Sequence, residues 1–525
     1  MDFRLTYATM FDPPEAMHER FDAALAAVRS RLGIRQELFI DGRDVGAGRY
    51  VRRFSPIDDA VHLGDFPVAD RDDVETAMRA ARAAFPAWRA TPPAERARLM
   101  RRVADLMEQR VYEIAAALAL EVGKNRMEAL GEAQETVDFF RHYADDFEGN
   151  GGYEHALPDD PLPGIVSRNR SVTRPYGVWV VIAPFNFPLA LAGGPAAAAL
   201  VTGNTVVMKG ASDTPWAGRL LADCIRDAGL PPGVFSYLAG PGREIGEALT
   251  THAATAGITF TGSADVGTQL LRQMAGGAWP RPCIAEMGGK NPCIVTARAN
   301  LDDAAAGIVR SAYGMGGQKC SALSRVYVDR AVADELVERL CAQVADIRIG
   351  DPCRREYWLG PVINQGAADH YERYVRGLGS GGARLVAGGR RLVDGDLRRG
   401  HYVEPVLAEA PTSHALWQHE MFLPILMLHR VTEREEAMRL ANDSDLGLTA
   451  GFYGGEDEVP WFHEHIEAGV TYANRRQGAT TGAWPGYQPF GGWKGSGSTG
   501  KGIASFYYLA QYLREQSRTV VEPGA

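Results

Sequence analysis

The sequence predicts an α/β fold in which a parallel sheet carries helices on both faces. Between Tyr176 and Val295, short apolar runs typical of buried strands alternate with helical stretches, which is the pattern of βαβ units. A second stretch of this kind extends from Leu301 to about Val470. The chain has 525 residues, of which 46% are hydrophobic and 23% charged, so it is long enough for several domains and a large core.

The N-terminal part of the chain is predicted to be mainly helical. The segment from Pro13 to about Leu32 has the polar face of a surface helix, and Glu37–Asp44 contains an Asp-Gly turn typical of a hairpin. From Asp70 to about Glu148 the chain is rich in Ala, Arg and Glu, and we expect packed helices with solvated charged faces. Thr91 before Pro92 predicts a helix start, and Gly123 predicts a break.

Short apolar runs in the central region are predicted to be strands. They are Val178–Ala183, Thr205–Met208, Val234–Leu238, Ile258–Phe260 and Cys293–Val295. The uncharged stretch from Pro175 to Met208 is long enough to cross a bilayer. Because prolines and glycines interrupt it, we expect two buried strands with a helix between them rather than a membrane span.

Two segments are predicted to lie outside the parallel sheets. Ile165–Arg174 alternates weakly and contains several arginines, which suits an edge or a position between subunits better than a buried parallel sheet. Gly149–Pro163 before it is rich in Gly, Pro and Asp and indicates a connector. Phe506–Val521, near the C-terminus, fits either an exposed strand or a helix.

The charge balance argues against nucleic acid as a partner. Asp plus Glu number 65 and Lys plus Arg 56, a net charge of −9, whereas a phosphate backbone favours a basic surface. The six cysteines form no Cys-x-x-Cys pair, so we expect no metal site and reduced thiols in the cytoplasm. The N-terminus carries early charges and lacks an apolar segment, so no signal peptide is expected.

The segment Ser311–Arg325 contains a candidate nucleophile, Cys320. The glycines before it allow backbone to approach a ligand, and Lys319 could favour a thiolate. Most cysteines, however, serve packing. By itself this segment leaves a catalytic role and a structural role equally open.

Three further residues could carry chemistry. Glu286 ends an apolar run, and a partly desolvated carboxylate there fits either a general base or an ion pair with Lys290. Asn186, in the loop after a buried strand, fits an oxyanion donor or an ordinary turn residue. Gly262 joins a strand to a helix start, which fits a pyrophosphate site or a common βα turn.

Together, these segments resemble the aldehyde dehydrogenase superfamily from about residue 40 to the tail. The shared motifs are P-F-N-F-P at 184–188, Lys209 after a buried strand, F-T-G-S-x-x-x-G at 260–267, E-M-G-G-K at 286–290 and G-Q-K-C at 317–320. The resemblance implies an aldehyde dehydrogenase-like α/β fold of three parts. They are a Rossmann-like cofactor domain (1–155 and 176–288), an α/β catalytic domain (289–488) and a small β oligomerisation element (156–175 and 489–525).

The resemblance also implies individual roles. Cys320 would be the nucleophile, Glu286 the general base, and Asn186 the oxyanion donor alongside the backbone N–H of Cys320. The cofactor would be NAD, with NADP as an alternative. Lys209 and Glu420 would hold its riboses. The full set of cofactor contacts implied is Ile182, Pro184, Lys209, Ser212, Gly262, Ser263, Gly267, Glu420 and Phe422.

Within the superfamily, the chain is most similar to the 1-pyrroline-5-carboxylate dehydrogenases. The similarity lies in E-V-G-K-N at 121–125, in S-A-Y-G at 311–314 with the G-Q-K-C-S-A that follows, and in Q-P-F-G-G at 488–492. It implies oxidation of L-glutamate γ-semialdehyde to L-glutamate through a cysteine thioester, in proline or arginine catabolism, by a homodimer or higher homo-oligomer. The substrate contacts implied are Phe187, Ser321, Gly482, Ala483 and Phe490, with Gly482 and Ala483 anchoring the carboxylate through backbone N–H groups.

Departures from the family pattern bear on the cofactor and the substrate. Ser212 stands near Lys209 without the acidic residue that would bind a ribose 2′-hydroxyl, so a 2′-phosphate is less repelled. Leu423 replaces a usual glycine, and Thr480–Thr481 and Trp484–Pro485 make the anchor loop unusual. The alternatives are another carboxylate-bearing semialdehyde such as succinic semialdehyde, a cofactor-independent cysteine hydrolase or acyltransferase, and a non-catalytic binding protein.

Overall fold

The computed structural model describes residue 5 and residues 13–161, 163–479 and 484–523. Its helices are α1 (Glu15–Arg29), α2 (Arg71–Ala90), α3 (Pro93–Gln109), α4 (Val111–Val122), α5 (Arg126–Gly149), α6 (Ala190–Val201), α7 (Pro215–Asp227), α8 (Glu247–Thr251), α9 (Ala264–Ala275), α10 (Leu301–Tyr313), α11 (Ala333–Ala345), α12 (Gln365–Ser380), α13 (Arg434–Asn442) and α14 (Val459–His465). Within the described residues, no helix is long and apolar enough to cross a membrane.

The strands belong to five sheets among the described residues. They are β1 (Ile34–Arg35), β2 (Leu38–Ile40), β3 (Arg43–Val45), β4 (Tyr50–Phe54), β5 (His62–Pro67), β6 (His155–Leu157), β7 (Ile165–Pro175), β8 (Val178–Ile182), β9 (Thr205–Lys209), β10 (Phe235–Leu238), β11 (Thr255–Thr261), β12 (Cys283–Glu286), β13 (Asn291–Val295), β14 (Leu323–Asp329), β15 (Arg384–Ala387), β16 (Val406–Glu409), β17 (Ile425–Val431), β18 (Leu446–Gly447), β19 (Thr449–Tyr453), β20 (Val470–Ala473), β21 (Trp493–Lys494) and β22 (Leu513–Pro523).

The first large sheet has the strand order β12-β11-β8-β9-β10-β2-β3. Its first five strands are parallel, and the predicted hairpin of β2 and β3 pairs antiparallel at the edge. The hairpin turns at Asp41 and Gly42, whose φ angles of 53° and 76° are those that Asp-Gly turns adopt. The predicted α/β fold with a parallel sheet is therefore confirmed.

The second large sheet has the order β15-β16-β17-β14-β13-β19-β20, and only β15 runs antiparallel to its neighbour. The predicted strand Cys293–Val295 belongs to this sheet, which corrects the single sheet expected between 176 and 295. The strand that completes the first sheet is instead β12, which the sequence did not predict. Its four residues end at Glu286, after which the chain crosses to β13 and the second sheet.

A three-stranded antiparallel sheet has the order β22-β7-β6. Ile165 pairs with Pro523 and Pro175 with Leu513, and β6 covers the other side of β7. The predicted edge position of Ile165–Arg174 is therefore wrong, because β22 and β6 pair with its two sides, and the alternative position between subunits stays a prediction. Of the two options for Phe506–Val521, the strand is confirmed from Leu513 onward.

Prolines and a glycine mark two helix boundaries. Thr91 ends α2 rather than starting α3; Pro92 is the N-cap, and α3 begins at Pro93. The predicted cap was therefore one residue early, and both prolines occupy positions where a missing N–H costs nothing. The predicted break at Gly123 is confirmed, since it ends α4 in the left-handed conformation with a φ of 83°.

Candidate active site

The nucleophile segment begins where α10 ends. Met315, Gly316 and Gly317 follow with φ angles of 53°, 65° and 67°, three successive residues with positive φ. Glycine adopts this conformation freely, whereas Met315 does so at a cost of roughly 1–2 kcal/mol. A Cβ atom at Gly317 would collide with the carbonyl of Leu423. This tight reversal brings the chain back toward Cys320 at the base of β14.

Cys320 is partly exposed and forms no disulfide. Burial raises the pKa of its thiol to about 12, and the carboxylates of Glu420 and Glu286 raise it further, while the N–H groups of Ser321 and Cys320 oppose the shift. Cys320 is among the groups whose charge acts on Lys319, and the expectation that Lys319 favours a thiolate stays a prediction. Burial lowers the pKa of Lys319 itself, and the charge it faces most strongly is that of Glu128.

Two buried asparagines hold the nucleophile segment. Asn186, in the loop after β8, donates from Nδ2 to the carbonyl of Gln318 at 3.0 Å. Asn291, the first residue of β13, donates from Nδ2 to the carbonyls of Cys320 at 2.7 Å and Ala322 at 2.8 Å. Its Oδ1 accepts the N–H of Thr449 at 2.9 Å. Sequence reasoning missed Asn291; the only signal was its place directly after the G-G-K of 288–290.

Glu286 lies at the carboxyl end of β12, between the two large sheets. Burial raises the pKa of its carboxyl to about 8. Within the described residues, no ion pair joins it to Lys290, so the structure does not support the ion-pair alternative. The Nζ atom of Lys290 is buried without a hydrogen-bond partner, and burial lowers the pKa of that ammonium to about 7. A desolvated carboxylate with a pKa near neutrality is suited to proton transfer.

The carboxyl edge of the first sheet carries the predicted cofactor residues. Lys209 ends β9, is buried, and donates from Nζ to the carbonyl of Gly210 at 3.0 Å; burial lowers its pKa to about 8. Ser263 is the N-cap of α9, is exposed, and makes no side-chain cap hydrogen bond. The N–H of Gly262 donates to the carbonyl of Glu286 at 3.1 Å. The open N-terminus of α9 fits the phosphates of a dinucleotide.

Three other predicted contacts lie along the same edge. Ile182 ends β8 and Pro184 follows it, and both are partly exposed. Gly267 is buried in α9, where a Cβ atom would collide with the Sδ of Met287. Close packing of α9 against Met287 therefore explains why a glycine is required at 267. The role of Gly267 as a cofactor contact stays a prediction.

Glu420 and Phe422 come from a loop before β17. Glu420 accepts the N–H of Gly289 at 3.0 Å, and a Cβ atom at Gly288 would collide with its carboxylate. Burial raises the pKa of the Glu420 carboxyl to about 7. Phe422 has a φ of 55°, and its ring meets that of Phe185 edge-on at 5.8 Å. Gly288 and Gly289 thus leave room for the Glu420 carboxylate, which also raises the pKa of the Cys320 thiol.

A cleft of about 290 Å³ lies on the other side of the nucleophile segment, and its lining includes Phe187 and Lys319. The Lys124 ammonium sits 3.8 Å from the centre of the Phe187 ring and pairs with Glu132 in full burial. Glu132 also accepts the N–H of Leu189 at 2.8 Å, at the start of α6. This buried pair, which sequence reasoning missed, fixes the orientation of Phe187.

The remaining predicted substrate contacts are less exposed to this cleft. Ser321 and Phe490 are buried, and neither lines it. The N–H of Phe490 donates to Ile503 at 3.0 Å. Gly482 and Ala483, the predicted carboxylate anchor, lie outside the described residues.

Comparison with known proteins identifies this arrangement. A family model described as the aldehyde dehydrogenase family matches residues 44–517. The chain belongs to the aldehyde dehydrogenase family. It is 35% identical over 514 residues to a 1-pyrroline-5-carboxylate dehydrogenase of Geobacillus thermodenitrificans, covering 97% of each chain. The family resemblance predicted from the motifs is confirmed.

Solved structures agree with the sequence comparison. A 1-pyrroline-5-carboxylate dehydrogenase from Thermus with bound NAD superposes with a TM-score of 0.92 at 33% identity, covering 100% of this chain and 99% of that one. An NADP-dependent enzyme of E. coli superposes with a TM-score of 0.86 at 31% identity, covering 93% and 98%. The aldehyde dehydrogenase-like fold expected from the motifs is therefore confirmed.

Proposed function

We propose that the chain oxidises L-glutamate γ-semialdehyde, which forms from 1-pyrroline-5-carboxylate, to L-glutamate with NAD, or NADP, as the hydride acceptor. The observation that carries this proposal is the convergence of Asn186, Glu286 and Cys320 between the two large sheets. The relatives that bear the name 1-pyrroline-5-carboxylate dehydrogenase, and the NAD-bound Thermus structure, support the choice of substrate and cofactor.

Cys320 opens the reaction. The Cys320 thiol first loses its proton to solvent and becomes a thiolate, and Glu286 acts only later, in hydrolysis. The sulfur then attacks the aldehyde carbon, a C–S bond forms, and the carbonyl oxygen becomes an oxyanion. Asn186 donates one amide N–H to the carbonyl of Gln318. Its second amide N–H can donate to the oxyanion, as can the backbone N–H of Cys320. Asn291 holds the Cys320 peptide in place during this step.

The nicotinamide cofactor, when bound, supplies the acceptor for the hydride that leaves the tetrahedral adduct. Lys209 and Glu420 would hold its two riboses, and the N-terminus of α9 at Ser263 would hold its pyrophosphate. Ser212, Gly262 and Phe422 complete this side of the site.

Release of the product depends on Glu286. Its carboxylate removes a proton from water, the water oxygen attacks the thioester carbon, and the C–S bond breaks to return the Cys320 thiolate. The product is a carboxylic acid. Burial of Glu286 raises its pKa to about 8, which makes it a stronger base than an exposed glutamate.

The cleft beside Phe187 suits an amino-acid aldehyde. Its lining includes the cations Arg310 and Lys319 and the carboxylates Glu128 and Glu135. A substrate with one carboxylate and one ammonium is complementary to such mixed charges, whereas an alkanal carries neither charge. In this proposal Gly482 and Ala483 anchor the substrate carboxylate through backbone N–H groups.

The assembly and location belong to the same proposal. The sheet of β22, β7 and β6 exposes Val520 and Val521, which suits contact between copies in a homo-oligomer. The six cysteines are all free, which suits the reducing cytoplasm. The first large sheet would then belong to the cofactor domain, and the second to the catalytic domain.

A substrate panel with each nicotinamide cofactor tests the proposal. We expect kcat/KM for glutamate γ-semialdehyde to exceed that for an alkanal of equal length by roughly 100-fold, because the alkanal lacks the carboxylate and the ammonium that the site would bind. A higher kcat/KM for succinic semialdehyde would identify that aldehyde as the substrate instead. A preference for alkanals would contradict the carboxylate anchor at Gly482 and Ala483. If the protein hydrolysed or transferred acyl groups without cofactor and oxidised no aldehyde, the dehydrogenase activity would be contradicted. Cys320→Ala should abolish oxidation, whereas Cys341→Ala, at another partly exposed cysteine, should not.

A further inference from the structure

We infer that Glu132, on α5, is a positioning residue for the oxyanion donor Asn186. It acts through the N-terminus of α6, the helix that follows the loop in which Asn186 lies. The inference deepens the proposed function and rests on it for the role of Asn186. It assigns a task in the reaction to the buried pair of Glu132 and Lys124, which no step of the reaction uses directly.

The loop that carries Asn186 joins β8 to α6 and comprises residues 183–189. Its first residue is fixed by β9, since the N–H of Ala183 donates to the carbonyl of Lys209 at 3.1 Å. Its last residue, Leu189, is the N-cap of α6 and has an apolar side chain that cannot cap the helix. The first N–H groups of a helix need acceptors from outside that helix. The position of the loop therefore depends on the group that accepts these hydrogen bonds.

Glu132 supplies the acceptor that the N-cap lacks. Its Oε1 atom accepts the N–H of Leu189 at 2.8 Å and that of Ala190 at 3.2 Å. Its Oε2 atom pairs with the Nζ of Lys124, and both side chains are fully buried. A carboxylate is also favourable beside the positive end of a helix dipole. Because both of its oxygens are engaged, the carboxylate of Glu132 is held in one orientation.

Two further contacts connect α5 and its neighbourhood to the same loop. The Lys124 ammonium lies 3.8 Å from the centre of the Phe187 ring, and Phe187 directly follows the oxyanion donor. One turn along α5 from Glu132, Thr136 lies so close to α6 that a Cβ atom at Gly193 would collide with its Cγ2. Helix α6 thus contacts α5 at two successive turns, which leaves the start of α6 little room to shift.

The reaction requires accurate placement of Asn186. Its side chain is buried, and one amide N–H donates to the carbonyl of Gln318 at 3.0 Å. The other amide N–H is the donor proposed for the oxyanion. Such a donor must lie within hydrogen-bond distance of the developing charge, and a displacement of about 1 Å can cost about 100-fold in rate. A shift of the α6 N-terminus would move the backbone that carries this amide.

Two double variants of the full chain separate the hydrogen-bond acceptor from the buried charge. Glu132→Gln/Lys124→Met and Glu132→Met/Lys124→Met both remove the ion pair, and only the first keeps a side-chain oxygen for the N–H groups of α6. With saturating cofactor and an aldehyde that the wild type oxidises, single-turnover hydride transfer should be about 10- to 100-fold slower in the second variant than in the first. Alkylation of Cys320 by iodoacetamide forms no oxyanion, so its rate should be equal in the two variants.

Asn186→Ala provides the background that tests the route. If Glu132 acts through Asn186, the two double variants should transfer hydride at equal rates once Asn186→Ala is also present. Glu132→Asp keeps the buried charge but is one methylene shorter, so it should slow hydride transfer and leave alkylation unchanged. This single variant tests the same point where Glu132→Met/Lys124→Met does not fold.

Glu121→Gln and Glu121→Met are the matched control pair. Glu121, on α4, is buried and accepts the N–H groups of Trp216 at 2.6 Å and Ala217 at 2.9 Å, at the start of α7. Loss of its oxygens removes the same kind of contact from a different helix. At saturating cofactor, these two variants should therefore transfer hydride at equal rates.

Equal hydride-transfer rates in the two Glu132 double variants would overturn the inference. A difference that persists with Asn186→Ala, an equal slowing of alkylation, or an equally large difference between the two Glu121 variants would overturn it as well. Failure of the proposed function would show separately, as no oxidation of any aldehyde by the wild type with either cofactor.

Discussion

Lowering the pH from 8 to 6 should slow hydrolysis of the thioester on Cys320 by a factor of about 50. The burial of Glu286 raises its pKa to about 8, and the general base must be ionised to act. With that pKa, the ionised fraction falls from about one half at pH 8 to about 1% at pH 6. The rate therefore rises with pH, and it levels off above the pKa.

Rapid mixing with saturating cofactor and aldehyde separates the two steps. A burst of reduced cofactor reports formation of the thioester, and the steady rate that follows reports its hydrolysis. Only the steady rate should depend on pH, with a midpoint near pH 8. This pH dependence should be absent in Glu286→Gln. A hydrolysis rate that stays flat between pH 6 and 8, or a pH dependence that survives in Glu286→Gln, would refute the assignment of the base.

The same pKa shift affects stability in a defined direction. Below pH 4.5, the ordinary value, both folded and unfolded chains hold the Glu286 proton and no difference arises. Between pH 4.5 and 8 the folded chain keeps a proton that the unfolded chain loses, so stability falls by up to about 1.4 kcal/mol per pH unit. Glu286→Gln should remove this decrease in stability. The thermal midpoint of Glu286→Gln should therefore rise relative to that of the wild type as the pH increases.

Other predictions concern the groups that hold the nucleophile. Asn291→Ala should slow alkylation of Cys320 by iodoacetamide and destabilise the chain by about 3 kcal/mol, since three hydrogen bonds are lost; unchanged alkylation would contradict its positioning role. Met315→Gly should lower the thermal midpoint, because loss of the buried side chain costs about 2–5 kcal/mol and outweighs the roughly 1 kcal/mol of left-handed strain that glycine relieves; a higher midpoint would show that the strain dominates. Gly267→Ala should lower the midpoint, with an expected cost of about 1–3 kcal/mol from the collision with Met287; a neutral effect would refute the packing explanation.

The parts of the fold that sequence predicted well are those with strong local patterns. Strands β8 and β9 are continuous apolar runs because both faces of a parallel sheet are covered, and they were found nearly to the residue. Strand β12 was missed, since four residues between prolines and glycines carry too little periodicity. The place of Ile165–Arg174 was misjudged because its partner β22 lies more than 300 residues away in the chain.

The candidate site shows the same limit at the level of side chains. Cys320, Glu286 and Asn186 stand in motifs, so their approach could be anticipated from resemblance. The direction in which a side chain points could not be anticipated. Lys319 precedes the nucleophile in sequence, but its charge faces Glu128. Asn291 is 29 residues from Cys320, and only the folded chain shows that it holds the Cys320 carbonyl.

Trapping the covalent intermediate would show directly whether Cys320 carries the acyl group. Glu286→Gln, mixed with glutamate γ-semialdehyde and the cofactor, should release one reduced cofactor per chain and then stop. Mass spectrometry of the digested protein should place a glutamyl thioester on the peptide that contains Cys320 and on no other cysteine peptide. Steady turnover at the wild-type rate would contradict the role of Glu286 as the base, and an adduct on a different residue would contradict Cys320 as the nucleophile.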